Sequence, residues 1–348
     1  MASWMHGLFG MHSSSARFLV HAEGNATFDV IKQVHAKKRY ISKNSGHSTA
    51  EDTAAQSVAL KFLHALPVNL PKEGRFRFRN QDSTTVAILQ ETAKFNTLLN
   101  CMRDSLHYLC NALLGKIVMT AEHDMMASAL VAGAIPVAWR DLSFESSKSC
   151  AAWFSELRMR VEYLSHWKDT GHPAVVALPV LYNPRAFLWT VTQNYARKHF
   201  VPLDTLNFSF EAHSPASRAL EKEPRDGIFI SGFVLEGASW DASTGALEDL
   251  APGDFVSQAP AFHFLPTIKL ERDPQSFSCP VYQTSERSGK KPSNFIASID
   301  MKSRHNPLKW TLLGVALILD VDADGSGVGK LNSTNATTTI GGGGTTRD

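Results

Sequence analysis

The chain has 348 residues, 43% of them hydrophobic and 20% charged, which is the balance of a globular protein long enough for two domains with cores of their own. A formal net charge of +2 gives no ground for a nucleic-acid surface or an acidic substrate. No run approaches the roughly 20 apolar residues of a membrane helix, so no membrane partner is expected.

Residues 1–52 show no sustained period and carry a basic knot at Lys37, Lys38 and Arg39, which reads as a poorly ordered, solvated arm. The first twenty residues lack the basic start and clean apolar stretch of a secretory signal. Ala54 to Leu66 has helical spacing in Val58, Phe62 and Leu66 and stops before Pro67. Arg75 to Arg79 alternates Arg and Phe. Such interleaving can stack on single-stranded RNA, but one five-residue instance reads as an edge strand or loop. Thr84 to Leu114 is a long helix with a stripe of Ile88, Phe95, Leu98, Leu99, Met102, Leu106, Leu109 and Leu113. Ala121 to Val131 is a second helix, ended by Gly133 and Pro136, and Ala151 to Asp169 a third, with Gly171 beyond it.

Asn183 opens the next helix as N-cap with Pro184 at its first position. Phe187, Leu188, Val191 and Tyr195 make its apolar stripe, and Arg197, Lys198 and His199 sit where positive charge suits the helix dipole. Pro202 is read as its end. From Leu206 the period changes to two. Strands are predicted at Leu206 to Phe210, Ile228 to Leu235, Ala261 to Ile268, Phe277 to Tyr282, Phe295 to Ile299 and Trp310 to Leu319, divided by turn pairs such as Asp226-Gly227 and Asn306-Pro307. The expected fold is therefore α+β: a helical bundle followed by a small antiparallel β-barrel, with a disordered N-terminal arm and a flexible Gly/Ser/Thr-rich tail over 321–348.

Few motifs carry chemistry. Asp320, Asp322, Asp324 and Gly325 open like a calcium loop, but Leu331 takes the place of its bidentate acid. Gly325 to Lys330 resembles a phosphate loop one residue too short, with Leu331 in place of Ser or Thr. His107, His123, His166 and His199 have no partners at metal-ligand spacing, and His263 falls in a strand with no acid assigned to it. No catalytic, cofactor-binding or metal-binding residue is assigned. Cys101, Cys110, Cys150 and Cys279 form no CxxC pair and no disulfide framework, so a reducing compartment is expected and the sequons at Asn25, Asn207, Asn332 and Asn335 read as chance matches.

One run after another resembles the C-terminal region of dynein heavy chains, in the family's order. Gln90 to Leu114 (QETAKFNTLLNCMRDSLHYLCNALL) is similar to the family's QE helix. GKIVMTAE at Gly115 to Glu122, GAIPVAW at Gly133 to Trp139 and FSELRMRVEYLSHWKDTG at Phe154 to Gly171 follow. TVTQNYARKHFVPLD resembles the QNYARK segment through Gln193, Asn194, Tyr195, Ala196, Arg197, Lys198, Pro202 and Asp204. DGIFISGFVLEGASWD matches through Gly227, Gly232, Glu236, Gly237, Trp240 and Asp241, CPVYQTSER through Cys279, Pro280 and Tyr282, and GVAL at Gly314 to Leu317 closes the series. The matches cover roughly Leu63 to Asp320. Val175 to Leu188, Phe144 to Ser147, Ala259 to Pro266 and a shortened loop after Arg287 depart from the family.

The resemblance implies that 53–115 are the last helices of a sixth AAA+ module, 116–204 the helical part of a cap, and 205–320 its barrel. It implies a non-catalytic, structural and regulatory part of an ATP-driven microtubule motor, more axonemal than cytoplasmic in type. ATP and magnesium belong to modules outside this chain. The implied partners are the AAA+ ring and other dynein subunits, with microtubules reached only indirectly, and the implied location is cytoplasm and cytoskeleton, in the axoneme of a cilium or flagellum. The family-motif residues are expected to hold structure or a ring contact. The start methionine and the non-family arm motivate a rival, a stand-alone dynein-like scaffold that binds other dynein subunits.

Overall fold

The computed structural model describes residues 50–71, 82–146, 148–214, 216–268, 273–284 and 294–321. The N-terminal arm up to residue 49, the Arg75–Arg79 alternation, and the tail from residue 322 with the phosphate-loop look-alike and all but Asp320 of the calcium-loop look-alike lie outside the described residues.

The helices follow the apolar spacing. They are α1 (Ala50–Ala65), α2 (Ser83–Leu113), α3 (Ala121–Val131), α4 (Val137–Leu142), α5 (Cys150–Thr170), α6 (Pro184–His199) and α7 (Pro307–Leu313). The stripe read in α2 is buried from Ile88 to Leu109, and each of its residues stabilises the fold by about 1.5–3 kcal/mol on leaving water. Phe62 of α1 meets Trp139 and Phe154 edge-on, and Trp139 stacks near Trp153. Helix α4 was not predicted, because Gly133 and Pro136 read as an end; Pro136 is its N-cap instead, and Trp139 is fully buried. Helix α6 stops three residues before Pro202. Phe200 takes the left-handed conformation, φ 56°, and ends the helix there.

The strands are β1 (Val175–Ala177), β2 (Asn207–His213), β3 (Ile228–Ser231), β4 (Phe233–Glu236), β5 (Ser239–Asp241), β6 (Ala246–Glu248), β7 (Val256–Gln258), β8 (Ala261–Thr267), β9 (Ser276–Tyr282), β10 (Phe295–Lys302) and β11 (Ala316–Leu319). They form a four-stranded sheet β1-β3-β8-β2, a five-stranded sheet β10-β9-β11-β4-β7 and the hairpin β5-β6. Pairings are antiparallel except β1 with β3 and β11 with β9. The sheets meet at an aromatic seam, where Phe233 lies edge-on to Phe262 and stacked over Phe264. A single buried cluster runs from Ala55 in α1 to Val321 after β11.

Two expectations fail here. Among the described residues the sheets do not close into a barrel. Closure needs every strand paired on both sides, and the sheet orders leave β1, β2, β10 and β7 as edges. The predicted strand Ile228 to Leu235 is the reason in part: it breaks at Gly232 and delivers β3 and β4 to different sheets. Gly232 has φ 91°, and a Cβ there would lie 2.4 Å from Cδ of Pro179. The predicted strand Trp310 to Leu319 is also half helix. Asn306 caps α7, its Oδ1 accepting from Leu308 N at 2.9 Å, and Gly314 ends it in the left-handed region before β11. The Asn-Pro pair that opens α6 opens α7 as well, and is not a turn between strands.

Candidate functional site

The site is where α6 crosses α2 and where its last turn reaches the sheet. Helix starts leave amides without intrahelical partners. Ser83 and Thr84 open α2 with two of them. Asp82 accepts from Thr84 N at 3.0 Å, as an N-cap should. Asn194, from the middle of α6, supplies the rest: its Oδ1 accepts from Ser83 N at 3.0 Å. Its Nδ2 donates to Asp82 Oδ1 at 2.5 Å and to Thr84 Oγ1 at 2.9 Å.

The favour is returned at the other end. Glu91 of α2 is buried, and its carboxylate accepts from Tyr182 N at 2.6 Å and Asn183 N at 3.1 Å, the two amides that lead into α6. Asn183 then caps α6 itself, accepting from Ala186 N at 3.2 Å. Burial pushes the Glu91 carboxyl above the usual carboxylate range, and these two amides pull it back part of the way. Helices α2 and α6 thus run past one another in opposite directions, each satisfying the other's N-terminal amides.

The last turn of α6 grips the turn before β3. Lys198 Nζ donates to Asp226 Oδ1 and to the Arg225 carbonyl, both at 2.7 Å, and His199 Nε2 lies 2.9 Å from the same Asp226 oxygen. Burial alone would raise the Asp226 carboxyl, but hydrogen bonds from Lys198 and His199 hold it below its ordinary value. Tyr195 packs its ring 4.2 Å from that of His199 and so steadies it. Gly227 follows with φ 75°; a Cβ there would lie 2.3 Å from the Phe264 carbonyl, so only glycine lets this turn rest on β8.

A cleft of about 200 Å³ lies between these parts, lined among others by Asp82, His172, Asn194, Tyr195, Lys198 and Glu223. Its carboxylates are all engaged. Glu223 lies 3.4 Å from His172 Nδ1, and that contact holds its carboxyl below the usual range. Asp82 is spent on the α2 cap and Asp226 on Lys198. The arrangement holds segments together.

Of the family-motif residues, Asn194, Tyr195, Lys198 and Gly227 gather at this cleft. Ala196 offers its carbonyl to Val201 N, and Pro202 its carbonyl to Thr205 N, so they shape the exit that leads past Asp204. Gln193 is half-buried and Arg197 exposed on α6. The others lie elsewhere. Gly232 separates the sheets, buried Glu236 ends β4, and Gly237, φ 82°, donates to the Phe255 carbonyl at 3.2 Å. Trp240 and Asp241 belong to the hairpin; hydrogen bonds from Thr244 and Ser243 lower the Asp241 carboxyl to about 2. Cys279, Pro280 and Tyr282 lie along β9 beside β10, with the Cys279 side chain buried.

A second buried node ties the last described strand to the helices. Glu156 and Arg160 form a buried ion pair one turn apart on α5. Arg160 also donates to the Leu181 carbonyl at 3.3 Å and sits 3.7 Å over the Phe144 ring. Lys148 bridges Glu156 at 3.0 Å and Asp320 at 3.3 Å, just beyond β11. Sequence reading missed Asp82, Glu91, Asp226 and this node. Asp82 was recoverable, since an Asp before a helical stripe is a cap signal. Glu91, Asp226 and Lys148 act on partners 27 to 172 residues away, which no local pattern reports.

Residues 21–319 match the family described as the C-terminal domain of dynein heavy chains. The mouse (Mus musculus) dynein axonemal heavy chain 1 is 28% identical over 325 residues, covering 91% of this chain and 8% of its own length. The human (Homo sapiens) dynein axonemal heavy chain 12 is 30% identical over 292 residues, covering 81% of this chain and 9% of its own. The human dynein axonemal heavy chain 3 is 28% identical, covering 90% of this chain and 8% of its own. With the match extending over both helices and sheets, this protein belongs to the family of dynein heavy-chain domains found at the motor's C-terminus.

Proposed function

We propose that this chain is the non-catalytic C-terminal cap of a dynein heavy chain, a structural and regulatory part of an ATP-driven microtubule motor. One observation carries the reading. Helix α2, which resembles the end of a sixth AAA+ module, and α6, which carries the QNYARK motif, cap each other through Asn194 and Glu91. Shifting α2 relative to the cap would strip buried amides of their acceptors, at about 1–3 kcal/mol each. The pair therefore moves as one body, and a displacement of the ring is passed through α6 to Asp226 and the sheets.

On this reading the partners are the AAA+ ring and other dynein subunits, and microtubules are reached only through the ring. The location is the cytoskeleton of a cilium or flagellum, as the names of the axonemal relatives suggest. ATP and magnesium are handled by the AAA+ modules and not by this chain.

The test is a motor-competent heavy chain ending in this segment, assayed for ATPase and microtubule gliding with wild-type sequence, with Asn194→Ala, and with the segment deleted. The reading expects deletion and Asn194→Ala to change velocity or its coupling to ATP turnover. Indifference of both activities would sink it. Capture of dynein subunits by the isolated chain, together with that indifference, would replace it by the stand-alone scaffold. ATP hydrolysis by the isolated chain would overturn its non-catalytic part.

A further inference from the structure

We propose that Glu211, His213 and His263 form a binding site for one divalent transition-metal ion, best matched by zinc, on the outer face of the four-stranded sheet. The strand period places them there. Glu211 and His213 are two apart on β2 and share a face, and the register sets Glu211 directly opposite His263 of β8. The alternate residues Phe208, Phe210 and Ala212 pack against the core from the other face. One ligand atom from each of the three residues lies within 4.8 Å of those of the other two, and His213 Nε2 is 3.8 Å from Glu211 Oε2. Ligands around a tetrahedral zinc at about 2.0–2.2 Å stand about 3.3–3.6 Å apart. Small side-chain adjustments would bring the three to that spacing, and Glu211, 72% exposed on its side chain, has room to move.

Three further features point to a ligand. His213 Nε2 is buried and has no hydrogen-bond partner among the described residues, an unusual state for a ring nitrogen. His263 Nε2 lies 2.9 Å from the Asp226 carbonyl, which can only accept. The proton therefore sits on Nε2 and leaves Nδ1 as the lone-pair nitrogen, the outer-shell arrangement that fixes a metal-binding imidazole. Gly227 makes this bond possible, because a Cβ there would come within 3.0 Å of His263 Nε2. The Phe229 ring, 4.8 Å from His263 and 5.2 Å from His213, walls one side with apolar surface.

Two imidazoles and one carboxylate suit zinc or its neighbours, and do not suit calcium or magnesium, which want six or more oxygens. Three protein ligands leave a fourth position for water, reached past exposed Glu211. The ion's effect is structural: it would pin β2, an edge of its sheet, to β8. Sequence reading could not find this trio, because the 50-residue gap to His263 closes only through strand register. The inference is independent of the motor reading.

The experiment is zinc binding to the full 348-residue protein, reduced and freed of metal, followed by equilibrium dialysis and thermal unfolding. Cobalt(II) serves as a visible probe. The expected result is one zinc per molecule, a raised Tm, and cobalt absorption bands of tetrahedral strength. Binding should be lost in His213→Ala and His263→Ala and weakened at least about tenfold in Glu211→Gln. Glu211 is exposed, so Glu211→Gln keeps the test decisive if a histidine variant does not fold. No stoichiometric zinc, or equal affinity in wild type and Glu211→Gln, overturns the site; so does equal uptake by any folded histidine variant, which would assign the ion to other histidines.

Discussion

The two halves of the molecule keep their buried polar groups in different ways. Across the helices, Ser83, Thr84, Glu91, Thr92, Glu156, Arg160, Lys168, Thr190 and Thr192 are buried. Among the described residues of the sheets and their connections the buried polar side chains are Ser231, Glu236 and Ser303, and the other buried side chains there are apolar, mostly Phe, Leu, Ile, Val and Ala. The difference follows from where backbone groups go. A sheet pairs its N–H and C=O groups in ladders and can leave its interior apolar. A helix leaves four amides at one end and four carbonyls at the other. Where α2 and α6 cross, those ends are inside the protein and side chains must meet them. Buried polarity in the helical half is the consequence of its packing, so breaking it should cost more than changing the surface motif residues.

The largest effect should come from Arg160. It is buried against Glu156, and burial pulls its guanidinium below its ordinary value while Glu156 pushes it back up. Arg160→Ala removes one partner of a buried pair and leaves Glu156 only the half-exposed Lys148, so it should cost about 3–4 kcal/mol in chemical denaturation. The double change Glu156→Leu with Arg160→Met should cost far less, because no charge is left stranded; Lys148 keeps Asp320 as partner. Equal losses for the single and double variants would show that packing against Phe144, and not the charge, is what matters. The sheet half has a counterpart in shape instead of charge. Gly232→Ala adds a Cβ against Pro179 at a positive φ, and should cost about 2–4 kcal/mol.

Asn194→Ala should cost about 1–2 kcal/mol, the worth of a helix cap with a buried amide behind it. Amide exchange should quicken at Ser83 and Thr84 while the amides of β9 stay protected. A uniform loss of protection would mean that α2 and α6 do not open apart from the sheets. The same residue shows how far local reading reaches. Asn183, Pro184 and the stripe of α6 are local signals, and they placed that helix to within a few residues. The role of Asn194 depends on Ser83, 111 residues earlier. The sheets were legible in the same limited sense. Alternation located β2, β8, β9 and β10, but topology hangs on Gly232 meeting Pro179, and the short strand β1 carried no readable period. Helix α7 was misread because seven residues are too few to show a helical repeat, and its apolar Leu308 and Leu312 face outward.

Asp226 joins the two halves, and its contribution should depend on pH. Its folded-state carboxyl is held below its ordinary value by Lys198 and His199. The stabilisation is therefore present above the ordinary Asp range, near pH 4, and is lost as pH falls through the lower folded value. Lys198 is half-exposed, so the whole effect should stay within about 1 kcal/mol. Comparing wild type with Asp226→Asn across pH 2.5–6 (roughly the carboxylate range) should show a gap that closes toward acid. A gap that does not change with pH would make the link one of shape alone.

The smallest change should be a gain. Phe200 ends α6 at φ 56°, where a Cβ crowds the backbone by about 1–2 kcal/mol, and it is 95% exposed. Phe200→Gly removes that crowding and gives up almost no packing, while glycine's freedom in the unfolded state takes back part of the gain. A net rise of about 0.5–1 kcal/mol is expected by denaturant titration, with Phe200→Ala flat because alanine keeps its Cβ. If Phe200→Gly fails to stabilise, the bonds from Phe200 N and Val201 N to the Ala196 carbonyl already hold the turn without strain. If it stabilises the fold but slows the assembled motor, the phenyl ring is kept on the surface for a contact that the isolated cap does not make.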